Sequence, residues 1–147
     1  MKHRNAIFLI AACALSCWAW GQNDSRTSAI ASCPAPSEVS HWHLYGLWRA
    51  EFEGLSQDAT LLLEKHPELA ESVRGTLRRD GSQALLAGDV DQGELNLDES
   101  LDGLSISATW TGQVVDNSCG KEIRGTWQHA ADSATRRFVL RRQPGWQ

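Results

Sequence analysis

From Leu44 onward the chain alternates between apolar and polar positions, and this alternation predicts β-strands. Leu44, Gly46, Trp48, Ala50 and Phe52 share one parity, while Tyr45, Leu47, Arg49, Glu51 and Glu53 occupy the other. Residues two apart lie on the same face of a strand, so the first set forms an inner face and the second an outer one. The same period runs through 83–90, with Ala84, Leu86, Gly88 and Val90 inward. It returns in 104–114, with Leu104, Ile106, Ala108, Trp110, Gly112 and Val114 inward, and in 122–128, with Ile123, Gly125 and Trp127 inward. Shorter runs at 59–64, 71–79, 94–98 and 136–142 add Leu61, Leu63, Val73, Leu77, Leu95, Leu97, Phe138 and Leu140 to the same side.

The connections carry turn chemistry: Asp80-Gly81, Asp91-Gln92-Gly93, Asp102-Gly103 and the stretch from Asp116 to Gly120. At His66 to Glu71, Pro67 opens either a hairpin loop or one helical turn. Eight short strands joined in this way predict an all-β domain, an eight-stranded antiparallel up-and-down barrel, with a β-sandwich as the alternative. Glycine favours the barrel. In Gly46-Leu47-Trp48, Gly75-Thr76-Leu77, Gly88-Asp89-Val90, Trp110-Thr111-Gly112 and Gly125-Thr126-Trp127, a glycine shares the inner face with a large apolar neighbour. Inward glycines mark bends and close backbone approaches, as a tightly closed sheet requires.

The first 40 residues read differently. Lys2, His3 and Arg4 precede an apolar run from Ile7 to Trp20, and Ala19-Trp20-Gly21 offers a cleavage site, so residues 1–21 are expected to be a signal peptide. A competing lipoprotein-like box, Ile10-Ala11-Ala12-Cys13, would instead leave Cys13 lipidated and the protein held at a membrane. Residues 22–40 are rich in Ser, Ala and Pro and read as a flexible leader with an anchor in its middle at Cys33, and the barrel domain spans 41–147.

Charge and cysteines narrow the partners and the compartment. The chain has 14 basic against 18 acidic residues, a net charge of −4, and loss of Lys2 and Arg4 with the signal leaves it at −6. Such a domain is not expected to bind nucleic acid or an anionic bilayer. Cys13 and Cys17 fall in the signal, leaving Cys33 and Cys119 as an expected disulfide of a periplasmic or extracellular protein. In a meander, the start of strand one and the turn between strands six and seven lie at the same end, where these two cysteines would meet.

Thr109-Trp110-Thr111-Gly112-Gln113-Val114, followed by a turn and Gly120-Lys121-Glu122-Ile123-Arg124-Gly125-Thr126-Trp127, resembles avidins and streptavidins. Their pattern is an aromatic residue, Ser or Thr, then Gly-Gln, with a tryptophan on the return strand. Gly46-Leu47-Trp48 is similar to the Gly-x-Trp first strand shared by avidins and lipocalins. The resemblance implies a calycin-type barrel and ligand binding. Trp110 and Trp127 match the biotin-contacting aromatics, but Ala50 and Gly54 stand where that family has an Asn and a Ser, and Leu97 stands near the place of its fifth-strand Trp. The family's last-strand Asp has no counterpart within 138–142, so biotin is not the expected ligand.

The inner face carries almost no polar group. Either side chains fill the barrel, or a mouth lined by Trp48, Trp110 and Trp127 admits a small apolar ligand. His41 and His43 lack a third metal ligand and are expected to be exposed, and His129 is expected at the barrel rim. Arg136, Arg137, Arg141 and Arg142 flank Phe138 to Leu140 as a charged guard for a strand edge. Asp98, Glu99 and Asp102 place acids in a loop without a calcium-loop signature. No nucleophile–base pairing, phosphate loop or cofactor motif is present, so no enzyme, metal or cofactor is expected. The expected function is non-catalytic binding, as a carrier of a small apolar ligand. The alternatives are a protein-interaction module, such as a protease-inhibitor-like barrel that probes with the segment before strand one, or a filled structural barrel of an outer-membrane lipoprotein.

Overall fold

A computed structural model describes residues 33–145. The expected signal peptide, the box at Cys13 and the first part of the leader lie outside the described residues. Eight strands follow one another: β1 (Gly46–Phe52), β2 (Ala59–Lys65), β3 (Ser72–Arg79), β4 (Ser82–Asp91), β5 (Glu94–Ser100), β6 (Ala108–Val114), β7 (Glu122–His129) and β8 (Thr135–Arg142). Each pairs antiparallel with its neighbours in sequence, and β1 pairs with β8, so the sheet is a closed up-and-down barrel rather than a sandwich. Trp48 stands opposite Arg142 across this seam and Phe52 opposite Phe138.

The inner face is built as the alternation dictates. Trp48, Phe52, Leu61, Leu63, Val73, Leu77, Leu86, Leu95, Leu97, Trp110, Ile123, Trp127, Phe138 and Leu140 are all buried in one core. Glycines let this core close. A Cβ on Gly125 would stand 2.0 Å from the carbonyl oxygen of Thr111 and 2.5 Å from Cα of Gly112, its partner on β6. The two backbones therefore come together more closely than any side chain permits, and the Phe138 ring lies against the space that Gly112 leaves. At Gly88 the same construction meets the carbonyl oxygen of Asn96 at 2.0 Å.

Two stretches depart from the alternation. Leu44 lies in a 3₁₀ turn, His41–Leu44, although it is still fully buried. More consequentially, β6 begins at Ala108, and Leu104 and Ile106, expected inward, stand in water, with Leu104 94% exposed. The reason is Asp102. Its Oδ1 accepts from the backbone N–H groups of Leu104 and Ser105 and from the Ser100 hydroxyl, and its Oδ2 accepts from the Ser105 hydroxyl. With its donors satisfied locally, this segment does not need a sheet ladder, and a period of two runs through it without forming a strand. His66 to Glu71 is a hairpin loop, in which His66 Nδ1 accepts from the N–H groups of Glu68 and Leu69.

The barrel has two unlike ends. At one, residues 33–45 fold across the opening through two 3₁₀ turns, Pro36–Glu38 and His41–Leu44, and bury Val39 and Leu44. Cys33 pairs with Cys119 in the β6–β7 connection, with Cα atoms 4.6 Å apart. Within the expected leader, residues 33–40 are tied down at the expected anchor, Cys33, and also by the burial of Val39. Closure also removes the strand edge that the β8 arginines were expected to guard. Arg142 donates to the carbonyl oxygens of His43 and Tyr45, fixing the plug, while Arg141 bridges Glu51 and Glu122 across the seam. Among the described residues no helix is long and apolar enough to cross a membrane, and the disulfide is compatible with export.

Candidate functional site

The three tryptophans expected to line one mouth do not meet. Trp48 lies toward the plugged end, fully buried, and its indole N–H donates to the carbonyl oxygen of Leu44 at 2.7 Å. Trp110 and Trp127 stand opposite each other on β6 and β7, toward the other end. That end is framed by the connections 53–58, 80–81, 101–107 and 130–134, and it is the candidate site.

At its base lies Glu99, 2% exposed. The alternation of β5 sends Leu95, Leu97 and then Glu99 inward, so the acid follows the same parity as the leucines. The indole N–H groups of Trp110 and Trp127 both donate to its Oε2 at 3.0 Å. Arg79, the last residue of β3, reaches in from the rim and brings Nη2 to 3.4 Å from Oε1. Its guanidinium carbon lies 4.9 Å from the ring centre of Trp127 and 5.5 Å from that of Phe52. Phe52 also packs on Trp110 at 5.3 Å, and Trp110 on Phe138 at 5.0 Å. Two indole donors, a guanidinium and an aromatic wall thus compensate a carboxylate that burial alone would make costly.

The rim above combines apolar and acidic groups. Leu55, Leu101, Leu104 and Ile106 are exposed there, as is Leu85 on the outer face of β4, whose side chain lies against the loop at Gly103. Each of the four connections carries an exposed aspartate, Asp58, Asp80, Asp102 and Asp132, of which Asp58 is paired with Arg49. The Ser105 hydroxyl, followed by the N–H groups of Ser105 and Leu104, holds the Asp102 carboxyl far below its ordinary range. The Ala134 N–H, and then His129, lower that of Asp132. His129 stacks on Trp127 at the rim, 2.9 Å from Asp132.

The remaining sequence candidates lie elsewhere. Asp98 and Glu99, read as loop acids, belong to β5, where Asp98 faces out and Glu99 in. His41 and His43 sit in the plug, where His43 Nδ1 accepts the Ser40 N–H and burial lowers the pKa of the ring. Among the described residues no group of three or more His, Cys, Asp or Glu side chains stands in position to hold a metal. A groove of about 570 Å³ runs outside the plug, between 37–42 and 89–92. Glu99, Phe52 and Arg79 were not anticipated as a set. Carrying the β5 parity one step past Leu97 is the signal that finds Glu99, because two inward tryptophans need an acceptor for their N–H groups.

The chain matches no protein-family model, and no curated protein matches it.

Proposed function

We propose that this protein is a non-catalytic, exported binding module that engages a partner protein through the open end of its barrel. The observation that carries the reading is the loop 101–107, which holds apolar side chains in water on a fixed backbone. A leucine that is 94% exposed is ordinarily on a mobile tip, but here the Asp102, Ser100 and Ser105 hydrogen bonds fix the backbone that carries Leu104. A side chain presented in this way loses little conformational freedom on docking, which is how pre-organised loops gain affinity. The aspartates beside it that no arginine among the described residues pairs, Asp80 and Asp102 included, suit a partner that offers an apolar pocket with a basic border.

The interior supports this reading over that of a small-molecule carrier. Trp48, Trp110 and Trp127 are core side chains whose N–H groups are already satisfied by Leu44 and Glu99. The avidin-like resemblance at Trp110 and Trp127 is accordingly read as shared barrel architecture.

A photo-crosslinking amino acid at position 104, compared with one at Thr76 on the outer wall, tests the proposal in cells that secrete the protein. A discrete protein adduct at 104 and none at 76 is the expected result. Absence of any adduct, together with a saturable tryptophan response to a panel of apolar ligands, would replace this reading with the carrier.

A further inference from the structure

We propose that the open end contains a guanidinium-binding site, which Arg79 occupies while the protein is free and which an arginine side chain of the partner takes over on binding. The idea rests on reading this end as a protein-binding surface, and it names the group on the partner that enters it.

The site has the parts that recognise a guanidinium: a carboxylate at its base and aromatic faces along its walls. Glu99 supplies the first; Phe52 and Trp127 supply the second. What sets it apart from an ordinary buried ion pair is how its members are held. Oε2 of Glu99 is fixed by two indole N–H groups on two different strands, so the carboxylate stays in place whether or not Arg79 is present. Oε1 meets Arg79 through one long contact of 3.4 Å, without the paired geometry that a guanidinium and a carboxylate form when free to align. Arg79 is also the least buried member, with 22% of its side chain exposed against 2% for Glu99. It ends β3, beside the Asp80-Gly81 turn, and rotation about its own side-chain bonds carries it into water.

An arginine arriving from outside must displace a side chain tethered at the site, whose effective concentration is in the millimolar range or above. Free guanidinium compounds therefore bind the wild-type protein weakly. A partner that also contacts the loop at Leu104 brings its own arginine at comparable effective concentration and exchanges with Arg79.

The test follows the indole N–H signals of Trp110 and Trp127 by NMR during titration with ethylguanidinium chloride, at constant ionic strength, in wild type and in Arg79→Ala. Ethylammonium and urea serve as comparison probes. Arg79→Ala should show a saturable shift of both indole signals, with an affinity at least tenfold tighter than that of wild type, and the response should vanish in Arg79→Ala combined with Glu99→Gln. In wild type, saturation should move the Arg79 side-chain N–H signal to the position of a solvated arginine. If Arg79→Ala does not fold, Arg79→Met keeps the aliphatic stem and frees the same charged position. An absent response in the folded variant, an equal response to urea or ethylammonium, or an Arg79 signal that stays fixed while wild type saturates would overturn the proposal. These probes do not depend on the partner, so their failure beside an intact crosslink at position 104 removes the arginine and leaves the binding surface.

Discussion

Replacing Glu99 with leucine is expected to destabilise the barrel strongly, even though it puts an apolar residue into an apolar interior. Both indole N–H groups at 3.0 Å from Oε2 would lose their acceptor, and Trp110 is 1% and Trp127 8% exposed, so water cannot readily replace it. An unsatisfied buried donor costs roughly 1–3 kcal/mol, which brings the pair to about 2–6 kcal/mol. Removal of a buried carboxylate offsets part of this, and a net loss of about 3 kcal/mol is a reasonable centre. With a urea m-value of about 1.5 kcal/mol per M, the unfolding midpoint should fall by about 2 M. Equilibrium unfolding followed by tryptophan fluorescence measures it directly. Glu99→Gln, which keeps one carbonyl oxygen, should lose less than half as much. In a double-mutant cycle, Glu99→Leu with Trp110→Phe should show coupling of about 1 kcal/mol, because the phenylalanine has no donor to strand. A Glu99→Leu protein within about 0.5 kcal/mol of wild type would falsify the claim that this carboxylate is held for its two indoles.

Gly125→Ala should lower stability by at least about 1–3 kcal/mol in a thermal or urea melt, since its Cβ meets backbone at 2.0 Å and β6 must move away; Thr126→Ala, on the outer wall, should stay within about 1 kcal/mol. Paired replacement of Cys33 and Cys119 by serine should cost roughly 4–5 kcal/mol on the chain-entropy model, for a bond that joins residues 86 apart. Removal of residues through Ser40 should cost more than that pair of substitutions, because it also uncovers the barrel end that Val39 seals; equal urea midpoints for the two would count against a plug. For Asp102 the sign follows from its lowered folded pKa. Its stabilising effect is complete well above the unfolded value of about 3.9 and is lost progressively as pH falls from there to the much lower folded one. The amide signals of Leu104 and Ser105 should therefore stay unchanged on acidification through pH 4, and a titration midpoint near 4 would show the loop to be less ordered than its hydrogen bonds imply.

Strand number, closure and nearly all of the core were legible because a half-buried strand writes its faces into the sequence with a period of two. The disulfide was legible through topology, which brings Cys33 and Cys119 to one end. The site was not, and for a specific reason. Periodicity sorts positions by polarity, so an inward glutamate is the case it misfiles: it groups Glu99 with Asp98 and Asp102 as loop acids and stops the strand at Asp98, two residues short of Ser100. The opposite error came at Leu104 and Ile106, where apolar residues at the right spacing were assigned to a strand although Asp102 holds them in a loop. In the leader, the anchor at Cys33 was legible through the same pairing, whereas the burial of Val39 was not, because a single valine among Ser, Ala and Pro sets up no period.

The bond between Cys33 and Cys119 also bears on how the barrel closes. The last pairing to find, β1 with β8, joins residues as far apart as Trp48 and Arg142. Along the polypeptide alone they are separated by roughly 95 residues, and the entropy of closing such a loop must be overcome before the seam is rewarded. Through the disulfide the shortest covalent path between them falls to roughly 40 residues. Once oxidised, the chain carries the start of β1 beside the turn into β7, so β7 and β8 have only a short hairpin's distance to search for their partner. The bridge thus acts on the rate of assembly as well as on the stability of the product: the oxidised chain should close its seam faster than the reduced one.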